Sequence, residues 1–341
     1  MTEDGLKLTA YFGERDRLGD RHLADALVDV FAAHALHTSV LLRGASGFGA
    51  RHRLRTDRLL TLSEDLPIAA VAVDTRERIT AALEDVERLG RGGLLTLERA
   101  RLLTGRLDEP ALPPPPDEAK LTLYLGRGER AGARPAHEAI VAELRRNGVA
   151  GATVLLGVDG TAHGARRRAR LLRGNAGVPL MIISVGDPAR LAGALPALAG
   201  MLGDPIATWE RVRVCKRDGR RLGDPRHVPE ADPSGRPLRQ KLMVYASEQS
   251  RHAGQPLHAE LLRRLRAAGA AGATTLRGIW GYHGDHAPHG DVLWQLRRRV
   301  PVVSVLVDTP ANVERWYAVV DEVTAETGLV TSEMVPASWI P

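Results

Sequence analysis

Apolar and polar positions alternate over the opening stretch "LKLTAYFGE", a pattern typical of a β-strand. The stretches "AKLTLYLGR", from Ala119, and "QKLMVYASE", from Gln240, repeat the pattern. In the opening stretch, Lys7, Thr9 and Tyr11 point to the face opposite Leu6, Leu8 and Ala10. A segment with helical spacing of apolar residues follows. In the first copy Leu23, Leu27, Val30, Phe31 and His34 fall on one face of this helix.

Two further strand-like runs follow each helix. The first is "TSVLLRG" or a counterpart, and the second is a short apolar run that ends near an aspartate. The lysine of the opening strand and this aspartate are 67 residues apart in all three copies. The pairs are Lys7 and Asp74, Lys120 and Asp187, and Lys241 and Asp308. A spacing this long, kept three times, indicates one folding unit encoded in triplicate.

Two polar segments separate the copies. Residues 105–118 contain four consecutive prolines, which favour an extended chain, and residues 218–239 are rich in Gly and Pro. We therefore predict units at 1–104, 119–217 and 240–341.

A second helix and a final strand complete each copy. The order β-α-β-β-α-β predicts an α+β fold of the ferredoxin-like type, a four-stranded antiparallel sheet with both helices on one face. The other face needs cover, so we expect the three sheets to pack together as an intramolecular pseudotrimer, monomeric in solution. Because all three copies keep the lysine and tyrosine of the first strand, we expect Lys7 and Tyr11 to serve packing or contacts between repeats.

Aspartates at the start of the second helix are predicted to be N-caps. Pro188 directly after Asp187, and Thr309 followed by Pro310, have the composition of a capped helix start. We extend the same expectation to Asp74 and Asp308.

Composition narrows the function. The chain of 341 residues has 47 Lys and Arg against 41 Asp and Glu, but acidic residues are interspersed and aromatic residues amount to only 4%, so nucleic acid is not an expected partner. No transmembrane run or export signal is evident, and the single cysteine, Cys215, suits a reducing cytoplasm as a small buried apolar residue. No nucleophile has a partnered base, so we expect no enzyme activity.

Four stretches of the first copy are diagnostic: "KLTAYFGERDR", "SVLLRGASGFGARHRLRT", "LSEDLPIAAVAVD" and "GGLLTLERARLL". In these stretches the first copy resembles the PII-like family known as domain of unknown function 190. The other copies match in their strands and helices but differ in the loop after the second strand. The PII superfamily implies trimers of a ferredoxin-like unit that bind small ligands, often adenine nucleotides, in clefts between subunits. It also implies a mobile loop that signals to a transporter, channel or enzyme.

The loop after the second strand carries the sharpest local signal for ligand binding. Closely spaced glycines let the backbone approach an anion, and arginines can grip phosphate. The candidate ligand-binding residues are Arg43, Gly44, Gly47, Phe48, Gly49, Arg51 and Arg53. The alternative to an anion-binding site is a flexible hairpin loop whose arginines are solvated. The expected effector is ATP, ADP, AMP or a cyclic nucleotide.

A histidine-rich stretch in the third copy suggests an alternative function. His283, His286 and His289 could ligate zinc or copper, although their spacing matches no recognised metal motif. A metal-binding or metal-tolerance protein on the same scaffold is therefore one alternative to the regulatory hypothesis. A structural adaptor without a ligand is another.

Overall fold

The computed structural model describes most of the chain, with gaps mainly in the three loops after the second strand. The described residues are 2–49, 55–56, 65–90, 93–105, 107, 110–114, 117–162, 165–166, 177–225, 227–232, 235–283, 289–290 and 300–340. The architecture is mixed α+β, with one large antiparallel sheet system and six helices in this described part.

Three successive sets of elements repeat the same order. The first set is β1 Thr2–Gly13, β2 Arg17–Leu18, β3 Arg21–His22, α1 Leu23–Ala33, β4 Thr38–Arg43, β5 Ser46–Phe48, β6 Arg55–Thr56, β7 Pro67–Thr75, α2 Arg76–Leu89 and β8 Gly93–Thr104. The second is β9 Glu118–Gly126, β10 Arg130–Ala131, β11 Arg134–Pro135, α3 Ala136–Arg146, β12 Gly151–Leu156, β13 Asp159–Ala162, β14 Ala165–Arg166, β15 Pro179–Gly186, α4 Pro188–Met201, β16 Ile206–Arg217 and β17 Arg220–Arg221. The third is β18 Leu238–Ser247, β19 Arg251–His252, β20 Gln255–Pro256, α5 Leu257–Ala267, β21 Ala273–Arg277, β22 Trp280–His283, β23 His289–Gly290, β24 Pro301–Asp308, α6 Pro310–Val323 and β25 Leu329–Ile340.

The four long strands of each set pair in one order. In the first repeat β4 pairs with β7, β7 with β1, and β1 with β8, all antiparallel. The second repeat has the order β12, β15, β9, β16. The third has the order β21, β24, β18, β25. The first strand therefore lies inside its sheet, with a hydrogen-bonded neighbour on each edge.

The two faces of the first strand contribute to two different hydrophobic cores, as its alternating pattern predicts. Leu6, Leu8 and Ala10 pack against the helices of their own repeat, in a cluster with Leu27 and Phe31. The opposite face of the sheets meets the other repeats, and apolar residues from all three form a central cluster there. The sequence expectation that this face needs cover thus has a physical counterpart.

Short strands in the loops connect the repeats in a cycle. Strand β13 of the second repeat pairs with β4 of the first, and β22 of the third pairs with β12 of the second. Strand β5 of the first repeat pairs with β21 of the third, which closes the ring.

The final strands form a second closed set of pairings. The end of β8 pairs with the start of β16, from Thr104 opposite Ile206. The end of β16 then pairs with the start of β25, and the end of β25 with the start of β8. Because each of these strands bonds two others, no repeat can leave the ring without breaking backbone hydrogen bonds on two sides.

The aspartates before the second helices do not share one role. Asp187 caps α4 by accepting the N–H of Arg190 at 3.0 Å, and Thr309 caps α6, as predicted. The prediction of an N-cap was wrong for Asp74 and Asp308. The N–H of His37 donates to Asp74 at 2.7 Å and that of Ala271 donates to Asp308 at 2.9 Å. These buried carboxylates instead tie the loop after the first helix to the third long strand.

Candidate functional site

Six charged side chains meet at the centre of the ring. Each first strand contributes a lysine and each final strand a glutamate, and within each repeat the two lie opposite one another in register. All six are buried. We call this set the six-charge cluster: Lys7, Lys120, Lys241, Glu98, Glu210 and Glu333.

Besides the pairs within a repeat, Lys7 with Glu98 and Lys120 with Glu210, the cluster has ion pairs that cross from one repeat to the next. The Lys7 ammonium lies 2.7 Å from both carboxylate oxygens of Glu210. Lys120 contacts both oxygens of Glu333, at 2.7 and 2.6 Å, and Lys241 contacts Glu98 at 2.9 Å. The first repeat is thus bound to the second, the second to the third and the third to the first. Conservation of the lysine among the copies therefore has the structural explanation that the sequence suggested, a contact between repeats.

The charged forms of these buried lysines and glutamates are stabilised by one another and not by solvent. Burial lowers the pKa of Lys7, but Glu210 and Glu98 outweigh it and hold that pKa above its usual value. Burial also raises the pKa of Glu98, yet Lys241, Lys7 and Lys120 together hold it well below its usual range. At Lys241 burial prevails, so the pKa of this ammonium is lowered. The cluster is nearly, but not fully, symmetric.

Sequence reasoning missed the three glutamates. Each follows a threonine by two positions in the final strand, at Thr96, Thr208 and Thr331. This Thr-x-Glu pattern is the signal that could have found them. In the first two copies the pattern is less distinct because an arginine follows the glutamate directly, Arg99 after Glu98 and Arg211 after Glu210.

The three carboxylates could in principle suit a hard cation. Their oxygens lie within 4.8 Å of one another, the one such grouping of potential metal ligands among the described residues. However, Lys7 lies 2.6 Å from Glu98, and Lys120 lies 2.6 Å from Glu333. The ammonium groups hold the positions that a cation would need, so the cluster as built does not fit a metal ion.

The predicted histidine site is only partly within the described structure. The Nε2 atom of His283 lies 2.6 Å from Asp218 Oδ1, a carboxylate of the second linker. His286 and the side chain of His289 lie outside the described residues. The metal-binding hypothesis for these histidines stays a prediction.

The glycine-rich loop of the first repeat lies against the third repeat. The N–H of Gly44 donates to the carbonyl of Pro67 at 2.7 Å, and that of Ala45 to the carbonyl of Thr275 at 2.8 Å. A Cβ added to Gly47 would lie 2.6 Å from the carbonyl oxygen of Ala273. These glycines therefore permit a close approach of two backbones, a role that the sequence alone did not distinguish from an anion nest.

The remaining predicted loop residues have separate surroundings. Arg43 donates two hydrogen bonds to the carboxylate of Glu14, at 2.8 and 2.9 Å. Phe48 is buried in the helix-side core of the third repeat, beside Leu261. Gly49 has open space where a side chain would be. Arg51 and Arg53 lie outside the described residues, so their role in binding an anion stays a prediction.

The loop of the second repeat is fixed to the first by charge. Arg166 lies 2.6 Å from Asp159 in its own loop and 2.8 Å from Asp25 on helix α1, and it also pairs with Asp29. The side chain is about a quarter exposed. Arg166 therefore joins the loop of the second repeat to helix α1 of the first.

A cleft between the second and third repeats has the chemistry for an anion. We call it the 2/3 cleft; its lining includes Gly151, Arg217, Tyr245, Tyr282 and His283. Arg217 donates to Glu118 at 2.7 Å through Nη2, while its Nε is buried and has no hydrogen-bond partner in the described structure. An unsatisfied buried guanidinium N–H calls for an acceptor.

Comparison with known proteins identifies the family. The model of the family DUF190, described as "Uncharacterized ACR", matches this chain three times, at residues 5–102, 118–214 and 239–337. The chain belongs to the DUF190 family. Its three matches make this DUF190 protein a tandem repeat, in agreement with the resemblance and the internal repetition of the sequence.

Two known proteins are similar to parts of this chain. A UPF0166 protein of Aquifex aeolicus (strain VF5) is 31% identical over 107 residues, which is 31% of this chain and 99% of that protein. The relative is thus the length of one repeat. The crystal structure of an anthrone oxidase-like protein covers 61% of this chain and 92% of its own, but at 13% identity and a TM-score of 0.18 it carries no argument. No helix in the described part of this DUF190 protein is long and apolar enough to cross a membrane.

Proposed function

We propose that this protein is a PII-like regulatory protein, without enzyme activity, that binds a small anionic ligand between its repeats. In this proposal the three repeats are ferredoxin-like units forming an intramolecular pseudotrimer. The strand order in each repeat and the cyclic pairing of β5, β13 and β22 support this architecture. The assigned ligand class is an adenine nucleotide.

The observation that carries the proposal is the buried, unpartnered Nε of Arg217 in the 2/3 cleft. A guanidinium that already donates one hydrogen bond to Glu118 can still offer its Nε–H to a phosphate oxygen. His283 and the aromatic Tyr282 line the same cleft. The volume open to water in the cleft is about 30 Å³, so a phosphate oxygen would enter while the rest of the nucleotide lies outside.

Regulation would operate through the loops after the second strands. Their first residues form the strands that join neighbouring repeats, so a ligand at a cleft and a partner at a loop would contact the same segment. A ligand can shift the loops only if it binds two loop arrangements with different affinity. The partner class we assign is a transporter, channel or enzyme, and the candidate loop residues Gly49, Arg51 and Arg53 belong to this part of the proposal.

Isothermal titration of the full chain with ATP, ADP, AMP and cyclic nucleotides tests the binding. We expect Arg217→Met to weaken binding about ten- to a hundredfold, the usual value of a hydrogen bond to a charged group. Arg88→Met, at an exposed position in the last turn of α2 and outside the lining of the cleft, is the control and should leave affinity unchanged. No heat at millimolar nucleotide, or equal loss in both variants, would rule out this site.

A further inference from the structure

A second cavity lies at the centre of the ring; its lining shares Ile183 with that of the 2/3 cleft. It is lined by residues of all three repeats and its volume is about 30 Å³. A cavity needs about 10–15 Å³ to admit one water molecule, so this space holds one small ion or one to two waters, and it excludes a nucleotide. Its polar lining residues are Lys7, Thr9, Tyr11, Lys120, Thr122 and Lys241.

The polar lining consists of hydrogen-bond donors. The three lysines of the six-charge cluster border the cavity, and none of its three glutamates does. Thr9 and Thr122 add hydroxyl groups, of which that of Thr9 donates to Glu98 at 3.4 Å, while the third repeat has Met243 at the equivalent place. Ammonium groups donate only, and hydroxyls can donate as well as accept. An occupant that accepts hydrogen bonds from several sides fits this lining.

One of the three ammonium groups has fewer partners than the others. Lys7 contacts Glu98 and Glu210, and Lys120 contacts Glu333 and Glu210. Lys241 has one carboxylate within salt-bridge distance in the described structure, that of Glu98. Since an ammonium has three N–H donors, Lys241 retains capacity to bind an acceptor. The lowered pKa of this group agrees with incomplete compensation of its charge.

We propose that the central cavity is a binding site for one small monovalent anion of the halide class, held by Lys241 and the hydroxyl of Thr122, with Lys7 and Lys120 at its border. An anion buried in an apolar core is costly unless opposite charges contact it. Here three ammonium groups border the site, whereas the carboxylates lie beyond them and repel less because Coulomb energy falls with distance. This site is independent of the nucleotide proposed for the 2/3 cleft.

Anomalous diffraction from crystals of the full chain grown in sodium bromide tests the proposal. We expect an anomalous peak in the central cavity of the wild-type protein. Density at this position without an anomalous signal would identify a water and overturn the proposal, as would an empty cavity. Because this outcome needs no variant, it does not depend on whether a mutant folds.

Thermal unfolding provides an independent measurement in solution. At fixed ionic strength, replacing sodium gluconate by sodium bromide should raise the melting temperature, because a ligand that binds only the folded state stabilises it. Met243→Thr, which adds a third hydroxyl to the lining, should keep or enlarge that rise, and Lys241→Met should remove it. Arg76→Met on the surface of α2 is the control and should leave the rise intact. If the wild-type protein has the same melting temperature in sodium gluconate and in sodium bromide, the proposal is contradicted.

Discussion

The Lys7 ammonium of the first repeat lies 2.7 Å from both carboxylate oxygens of Glu210, which is in the second repeat, 203 residues later. Equivalent pairs between repeats join Lys120 to both carboxylate oxygens of Glu333 and Lys241 to one oxygen of Glu98. Buried ion pairs contribute little net stability compared with apolar residues, but breaking one leaves an uncompensated charge. The cluster thus penalises any arrangement in which the repeats do not meet in this cyclic order.

Substitution of Glu98 should be strongly destabilising. Glu98 contacts Lys7 and Lys241, so Glu98→Gln leaves two buried ammonium groups short of a counter-charge. We expect a loss of about 3–5 kcal/mol in the free energy of unfolding, measured by urea denaturation. Glu77→Gln, at an exposed position on α2, should change it by less than about 0.5 kcal/mol. Equal stabilities of the two variants would show that the cluster is not formed.

Glu98 should also make the free energy of unfolding depend on pH. The pKa of Glu98 is held well below its usual value in the folded protein, whereas in the unfolded chain it is about 4.3. Its contribution is therefore present above about pH 4.3 and is lost as the pH falls through the folded pKa, with a slope of up to about 1.4 kcal/mol per pH unit. Urea denaturation between pH 5 and pH 3 should show a shallower slope for Glu98→Gln than for the wild type. Parallel slopes would assign the acid sensitivity to other groups.

A glycine at the seam between the first two repeats should not tolerate a side chain. A Cβ on Gly160 would lie 2.1 Å from the carbonyl oxygen of Ser39, where β13 pairs with β4. Gly160→Ala must separate these strands, and we expect a lower melting temperature. Gly193→Ala, on the exposed face of α4 with open space around it, should instead stabilise by about 0.5–1 kcal/mol. A neutral Gly160→Ala would mean that the strands are not paired as described.

The sequence predicted the repeated unit well because its signals are local. Strand alternation, helical spacing and the 67-residue interval all lie within one copy, and the buried position of Cys215 agrees with its expected role as an apolar residue. The Asp187 cap was also predictable, since Pro188 marks the helix start.

Contacts between copies were harder to predict. The contact between Gly47 and β21 could not be predicted because the two are more than 200 residues apart along the chain. Asp74 and Asp308 looked like caps because their true donors, the N–H groups of His37 and Ala271, lie 37 residues earlier. The glutamates of the cluster acquire their meaning only when three repeats meet.

Small-angle X-ray scattering of the full chain tests the central claim, that three repeats of one chain close into a single ring. A compact protein of 341 residues should have a radius of gyration of about 20 Å. The account predicts this value together with a scattering mass of 36.9 kDa, that of one chain. A mass of one chain with a much larger radius would indicate three repeats in a row, and a mass of about three chains would indicate repeats exchanged between molecules. Either result would contradict the closed intramolecular ring.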